Sequence, residues 1–425
     1  VTDILVTPRE LLSRPSFRSF LATRFSLALA LQIVGVAVGW QVYALTERAL
    51  DLGLVGAVQF FPQLMLFPFA GALVDRWNRR RALGFVVAIM TMATTALALV
   101  STVAPSREAL FACLVIVAVG RTFSGPAAHA TLPRLVAREE LPVAAGLTSS
   151  GFSIAMLSGP ALGGLLYAAV GAAGTYAAAT LLLLVAAAAW TTLPSMPPTH
   201  EVRNGGFTEL AAGMRFIFDT PILLGAATLD LFAVLFGGAV ALLPIYARDL
   251  LHTGPWGLGL LRASPAIGAT LMALRLAHRP LQRRVGHTLL AAVAGFGMST
   301  LAFSLCVYAP GGPYAQLAVA MLSLAMVGAT DEISVFIRTN IVQLATPDAL
   351  RGRVSAAEFV FIGASNELGE LESGLAAEAL GPVRAAALGG FGSLLVVAGA
   401  ARFAPKLVGL DRFTDLQPAN DRSSS

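Results

Sequence analysis

Twelve apolar stretches, separated by short polar or basic breaks, constrain this chain more than any other feature. A membrane helix needs roughly 20 apolar residues. Candidate spans run near 18–45, 52–74, 81–104, 107–129, 141–170 and 172–193, and then near 221–247, 256–277, 286–308, 313–338, 353–379 and 382–404. The break opening with Pro194-Ser-Met-Pro-Pro-Thr-His200 divides six from six. With 56% hydrophobic and 12% charged residues, against roughly 25% charged in soluble proteins, the chain cannot coat a soluble globule. Most of its surface is expected to face lipid.

Charge sets the orientation. With both termini on the cytoplasmic side, 20 of the 29 Lys+Arg fall in cytoplasmic segments and only Arg48, Arg107, Arg248 and Arg384 fall outside. The reverse topology would put the arginine clusters outside, against the positive-inside rule. The basic N-terminal residues Arg9, Arg14 and Arg18 precede an apolar run longer than a signal-peptide core, so the first helix is expected to stay. The +5 charge is scattered in small clusters between apolar segments, whereas a nucleic-acid binder gathers it on one face. Cys113 and Cys306 lie in apolar runs of different halves and read as packing residues, with no disulfide between them.

Between the second and third spans stands Gly71-Ala-Leu-Val-Asp75-Arg76-Trp-Asn-Arg79-Arg80-Arg81-Ala-Leu83. It reads as a tight charged turn, with glycine allowing close backbone approach and arginines among anionic headgroups. The stretch resembles the G-x-L-x-D-R-x-x-R-R loop of the major facilitator superfamily at Gly71, Leu73, Asp75, Arg76, Arg79 and Arg80. The resemblance implies a conformational latch in which Asp75 faces the start of the eleventh helix, near Arg353; the simpler reading is a topology anchor. The equivalent loop of the second half, His278-Arg279-Pro-Leu-Gln-Arg283-Arg284-Val-Gly286, keeps arginines and loses the acid. Leu135–Leu141 likewise echoes Leu344–Leu350, 209 residues later. The fold expected is all-α and integral to the membrane: twelve transmembrane helices in two six-helix pseudo-symmetric bundles. Residues 1–193 form the first bundle, 194–220 a cytoplasmic linker, 221–404 the second bundle, and 405–425 a flexible polar tail.

The fifth span carries Gly159-Pro160-Ala-Leu-Gly163-Gly164. Glycines a turn apart give a bare packing face and proline bends the helix. The run is similar to the G-P-x-x-G-G motif of exporters in the superfamily, which implies efflux. Phe123–Leu141 and Arg338–Val354 are similar to the branch of enterobactin exporters and drug:proton antiporters, with Ala145-Gly146 standing where that branch commonly has Ala-Asn.

Charges inside spans are costly and mark candidates for function. Arg121, with Gly125 four residues on, matches the superfamily's R-x-x-x-G. Asp230, Asp331, Glu332, Glu358 and Glu367 are candidates for handling protons or substrate. Asp331 and Glu332 point about 100° apart and cannot both face one partner. Glu367 and Glu370 share a face, with Gly363 and Gly374 leaving room beside them. Each carboxylate has the alternative of a structural pair. Arg121 and Arg262 would suit an anionic substrate, and the acids of the eleventh span a cationic one.

The reading that follows is a secondary active exporter of small organic compounds, an amphipathic drug or a siderophore, by alternating access and proton antiport. Its partners are the bilayer, protons and the substrate, with no nucleic acid, and it is expected to be a monomer in a bacterial-type inner membrane. No cofactor, metal site or enzymatic constellation is expected: there is no H-E-x-x-H, no Cys/His cluster and no G-x-x-x-x-G-K-[ST]. A sensor or scaffold on the same fold, or an importer of the superfamily, is the alternative.

Overall fold

The computed structural model describes residues 7–197 and 207–416, and every regular element in them is helical. The membrane helices of the first half are α1 (Pro15–Thr46), α2 (Ala49–Arg76), α3 (Arg79–Val103), α4 (Arg107–Thr131) and the run Leu141–Thr191. That run is about 77 Å long at 1.5 Å per residue, more than twice the roughly 30 Å hydrocarbon core. It is broken at Gly171 (φ 69°, ψ −172°), a conformation that glycine enters without a Cβ penalty. The break divides it into α5 (141–170) and α6 (172–191), at the boundary read from the sequence.

The second half contributes α7 (Pro221–Phe236), α8 (Gly254–His278), α9 (Val285–Ser304), α10 (Pro313–Ala345), α11 (Asp348–Leu380) and α12 (Pro382–Phe403). Ten of the described helical runs are long and apolar enough to cross a membrane. The α5–α6 run is one of these and, broken at Gly171, is long enough for two crossings; α11 has the length but carries many acids and is not among the ten.

The described chain forms two compact units. Unit 1 runs through Thr46 and resumes from Phe61 to the linker; unit 2 takes Glu47–Phe60 and everything from Phe207 onward. In unit 1, α1 packs along α5 and α6. A Cβ at Gly163 would lie 3.0 Å from the Cα of Ile33 and 3.1 Å from its carbonyl oxygen, so the bare face expected of the Gly159–Gly163 pair is used for close packing against α1. Buried Cys113 (unit 1) and Cys306 (unit 2) are both free thiols.

In unit 2, α8, α9 and α10 pack together, and α7 packs on α11 and α12. Four expectations change here. The seventh span is not one continuous helix: α7 ends at Gly237-Gly238 and resumes in short turns, Ala239–Leu242, Leu243–Ile245 and a π-turn over Tyr246–Leu250. Adjacent glycines each cost about 1 kcal/mol in a helix interior. The eleventh helix begins at Asp348, not near Arg353. The stretch read as linker contains the amphipathic helix Phe207–Asp219, which packs on α11. The tail is docked as far as Leu416, because Leu407 and Leu410 are apolar and bury themselves (0% and 6% exposed) in the core shared by α7, α9, α10 and α11.

Candidate functional site

The buried charges of unit 2 converge on Arg338. This guanidinium rises from α10 and sits 2.6 Å from Oδ2 of Asp230 on α7, with the two side chains only 7% and 8% exposed. Its Nε donates to Oγ of Ser334, one turn earlier on the same helix, at 3.3 Å. Two small cavities meet at Asp230. One is lined also by Arg338 and by Glu358 of α11; the other by Asp331, Ser334 and Thr330 of α10. Asp230, Asp331 and Glu358 all lie within electrostatic reach of Arg338. One carboxylate thus pairs directly with the cation and two more line the cavities beside that pair, in a setting where an ion pair is tolerated only with close geometry and an unpaired charge is expensive.

The sequence named the three acids but passed over Arg338, because it stood at the predicted edge of the tenth span. Spacing held the missing signal: Asp331 and Arg338 are two turns apart and therefore on one helical face.

The remaining candidates lie elsewhere. Glu332 is half-buried and lines neither cavity, consistent with its pointing away from Asp331. Glu367, also half-buried, belongs to a different region of α11: a Cβ at Gly56 of α2 would lie 3.1 Å from its carbonyl oxygen and 2.8 Å from Oε2 of Glu370. The room expected beside them exists at Gly363, where a Cβ would meet nothing within 4 Å. It does not exist at Gly374, which is taken up by close approach to Gly53, 2.8 Å from that glycine's Cα. Arg121 is exposed on α4 of unit 1.

The charged turn of unit 1 is tied both within itself and to the end of α6 and the segment after it. Asp75 pairs with Arg79 one turn on, at 3.4 Å, and Arg79 is buried to 7% exposure. Asn78 caps α3 by accepting from the Arg80 N–H at 3.0 Å, and its amide donates to Oγ of Ser195 at 2.7 Å. The Arg79 N–H donates to the Met196 carbonyl at 2.9 Å, so the segment after α6 clamps the turn. Arg80 lies over the Trp190 ring and donates to the Thr191 carbonyl at 2.6 Å; Arg76 is exposed. The close backbone approach expected at Gly71 is not made: a Cβ there would meet nothing within 4 Å. Of the exporter-type motif, Gly159, Pro160, Gly163 and Gly164 are all buried.

Unit 2 solves the same problem with a different acid. Its turn lacks an aspartate, and Arg284 enters α9 in the left-handed region (φ 56°). Asp411, from the segment after α12, accepts the Arg284 N–H at 3.0 Å and lies 3.6 Å from Arg283. The Val285 and Gly286 N–H groups donate to the Asp411 and Leu410 carbonyls at 3.1 and 2.9 Å. The carboxylate of Asp411 is held below the usual range, first by the Arg284 N–H and then by Arg283 and Arg412. Each unit therefore pins its charged turn with the chain that follows its sixth helix.

Comparison with known proteins agrees with this geometry. The family described as transmembrane secretion effector matches residues 8–422. The enterobactin exporter EntS of Citrobacter koseri is 26% identical over 385 residues, covering 90% of each chain. EntS of Shigella boydii is 26% identical over 388 residues, again covering 90% of each. Among solved structures, a point mutant of the nucleoside transporter NupG superposes with a TM-score of 0.70 at 13% identity, over 91% of this chain and 99% of its own. A POT family transporter in complex with 5-aminolevulinic acid gives 0.68 at 12% identity, over 92% and 96%. The likeness to these structures concerns the fold. With its membrane-length helices and a match over nearly its whole length, the chain belongs to the transmembrane secretion effector family of major facilitator transporters.

Proposed function

We propose that this protein is a secondary active exporter of small organic compounds that exchanges its substrate for protons by alternating access. The observation that carries the proton part is the group around Arg338. If Asp230, Asp331 and Glu358 were all ionised, one guanidinium would face three negative charges in a desolvated setting. Low-dielectric surroundings disfavour such an excess, and protons are the partners small enough to relieve it. A group that must hold a proton when closed off from water, and can release it when opened, has what a coupling site requires. One charge crossing 100 mV is worth about 2.3 kcal/mol, so a few protons suffice to drive a steep gradient.

Family membership and the buried glycine face around Pro160 support export, and the enterobactin exporters among its relatives support a siderophore-sized organic substrate. The arginine asymmetry favours both termini in the cytoplasm of a bacterial-type inner membrane, with the monomer as the working unit. In this reading the Asp75–Arg79 turn regulates cycling and is not needed for insertion.

The test is uptake of enterobactin, and of an amphipathic dye, into inverted membrane vesicles under an imposed pH gradient, since export in the cell becomes uptake there. Accumulation that collapses when the gradient is dissipated supports the proposal. Accumulation indifferent to the gradient would refute proton coupling.

A further inference from the structure

The membrane interior of unit 1 poses the opposite electrostatic problem. Residues 15–46, 61–74, 81–103, 109–131 and 141–191 contain no Asp or Glu, yet deep within them stand Arg24 on α1 and Arg121 on α4. Arg24 is nine residues above the start of α1 and Arg121 ten residues above the end of α4. Both therefore lie roughly 14 Å along the axis from the end of their helix, inside the stretches expected to span the membrane. A guanidinium at such depth ordinarily has a carboxylate or several carbonyls to hold it.

Arg24 has little of either. Its Nη1 donates to the carbonyl and Oγ of Ser124 on α4, at 3.3 and 3.2 Å, and its Nε is shielded from solvent with no hydrogen-bond partner among the described residues. No acidic group among those residues acts on it. Ser124, in turn, shares one stripe of α4 with Arg121 and Gly125, at i, i+3 and i+4. Arg121 is exposed, and a Cβ at Gly125 would meet nothing within 4 Å, so the stripe is open. The Arg24 guanidinium from α1, seated on Ser124, and a second guanidinium on the same stripe of α4, beside the open space at Gly125, make a cationic site set among spans that contain no acid.

We infer that Arg24, with Arg121 and Ser124, is the anion-recognition site of the transport cycle, and that the substrate is an acidic small molecule carrying a carboxylate, a phosphate or an ionised phenol. This rests on the exporter reading above and narrows it to a substrate class. The fork of a guanidinium matches a two-oxygen anion bidentately, and lysine, a point charge, reproduces the attraction without the fit.

The test is binding to the purified full-length protein of aromatic carboxylates paired with their amides, benzoate with benzamide and salicylate with salicylamide. The wild type is expected to bind the acid at least tenfold tighter than the amide. Arg24→Gln is expected to bring that ratio close to one, and Arg24→Lys to leave an intermediate preference, with thermal unfolding of both variants confirming the fold. A ratio near one in the wild type, or a ratio unchanged by Arg24→Gln, overturns the inference. Binding needs no gradient, so a protein that prefers acids but fails to accumulate them in vesicles refutes the proton-driven exporter and leaves the anion site standing.

Discussion

The interiors of the two units carry opposite imbalances. In unit 1, Arg24 and Arg121 stand in helices that contain no acid near them in sequence. In unit 2, Asp230, Asp331 and Glu358 cluster about Arg338, while Glu370 on α11 has Arg262 of α8 as a cationic neighbour. A repeat copied for stability alone would place neither imbalance in hydrocarbon, where buried charge is costly. On the reading proposed above, the halves divide the labour: one receives an anionic substrate and the other handles protons.

Substitutions can break this contrast, beginning with the largest effect. Arg338→Leu removes the cation that holds Asp230 at 2.6 Å, and is expected to destabilise the protein by roughly 3–5 kcal/mol, as for other buried pairs that lose one partner. Thermal unfolding in detergent measures it. The double change with Asp230→Asn should recover much of the loss; full additivity would mean the two groups do not depend on one another.

The matching change in unit 1 should go the other way. Arg24→Leu gives up two long hydrogen bonds to Ser124 and removes a shielded cation that no acid offsets among the described residues. Its unfolding free energy is expected to stay within about 0.5 kcal/mol of wild type or to rise, as when strain held for function is relieved. A loss like that of Arg338→Leu would erase the contrast.

The smallest effect concerns the turns. Unit 1 caps its turn with Asn78, which does not titrate; unit 2 relies on Asp411, whose carboxylate is held below its usual range by the Arg284 N–H and by Arg283 and Arg412. The stabilisation it gives is therefore present above the unfolded pKa, about 3.9, and is lost as pH falls through the lower folded value. Asp411→Asn should flatten that acid limb of the unfolding profile. An unchanged acid limb in Asp411→Asn would show that the tail is held by Leu407 and Leu410 alone.

Much of the architecture was legible because the bilayer imposes it. Helix lengths and the boundary at Gly171 follow from apolar run length and from one glycine. What escaped is local and tertiary. The Gly237-Gly238 break lies inside an apolar run whose hydropathy does not register it. The docking of the tail depends on two leucines, Leu407 and Leu410, in a segment whose average character is polar. The site was half legible: acids inside spans announce themselves by cost, so Asp230, Asp331 and Glu358 were named. Their organising partner was not, since an arginine near a predicted helix end looks like an interfacial anchor until Asp230 is seen opposite it. Arg24 was visible as a charge, and its seat on Ser124 became visible only in the structure.

If the carboxylates around Arg338 couple protons to transport, Asp230→Asn tests that role most directly. In inverted vesicles, substrate-for-substrate exchange requires the carrier to cycle but needs no net proton movement, whereas accumulation under a pH gradient needs both. Asp230→Asn is expected to retain exchange and to lose gradient-driven accumulation by at least tenfold. Accumulation at the wild-type rate with Asp230→Asn would contradict that role.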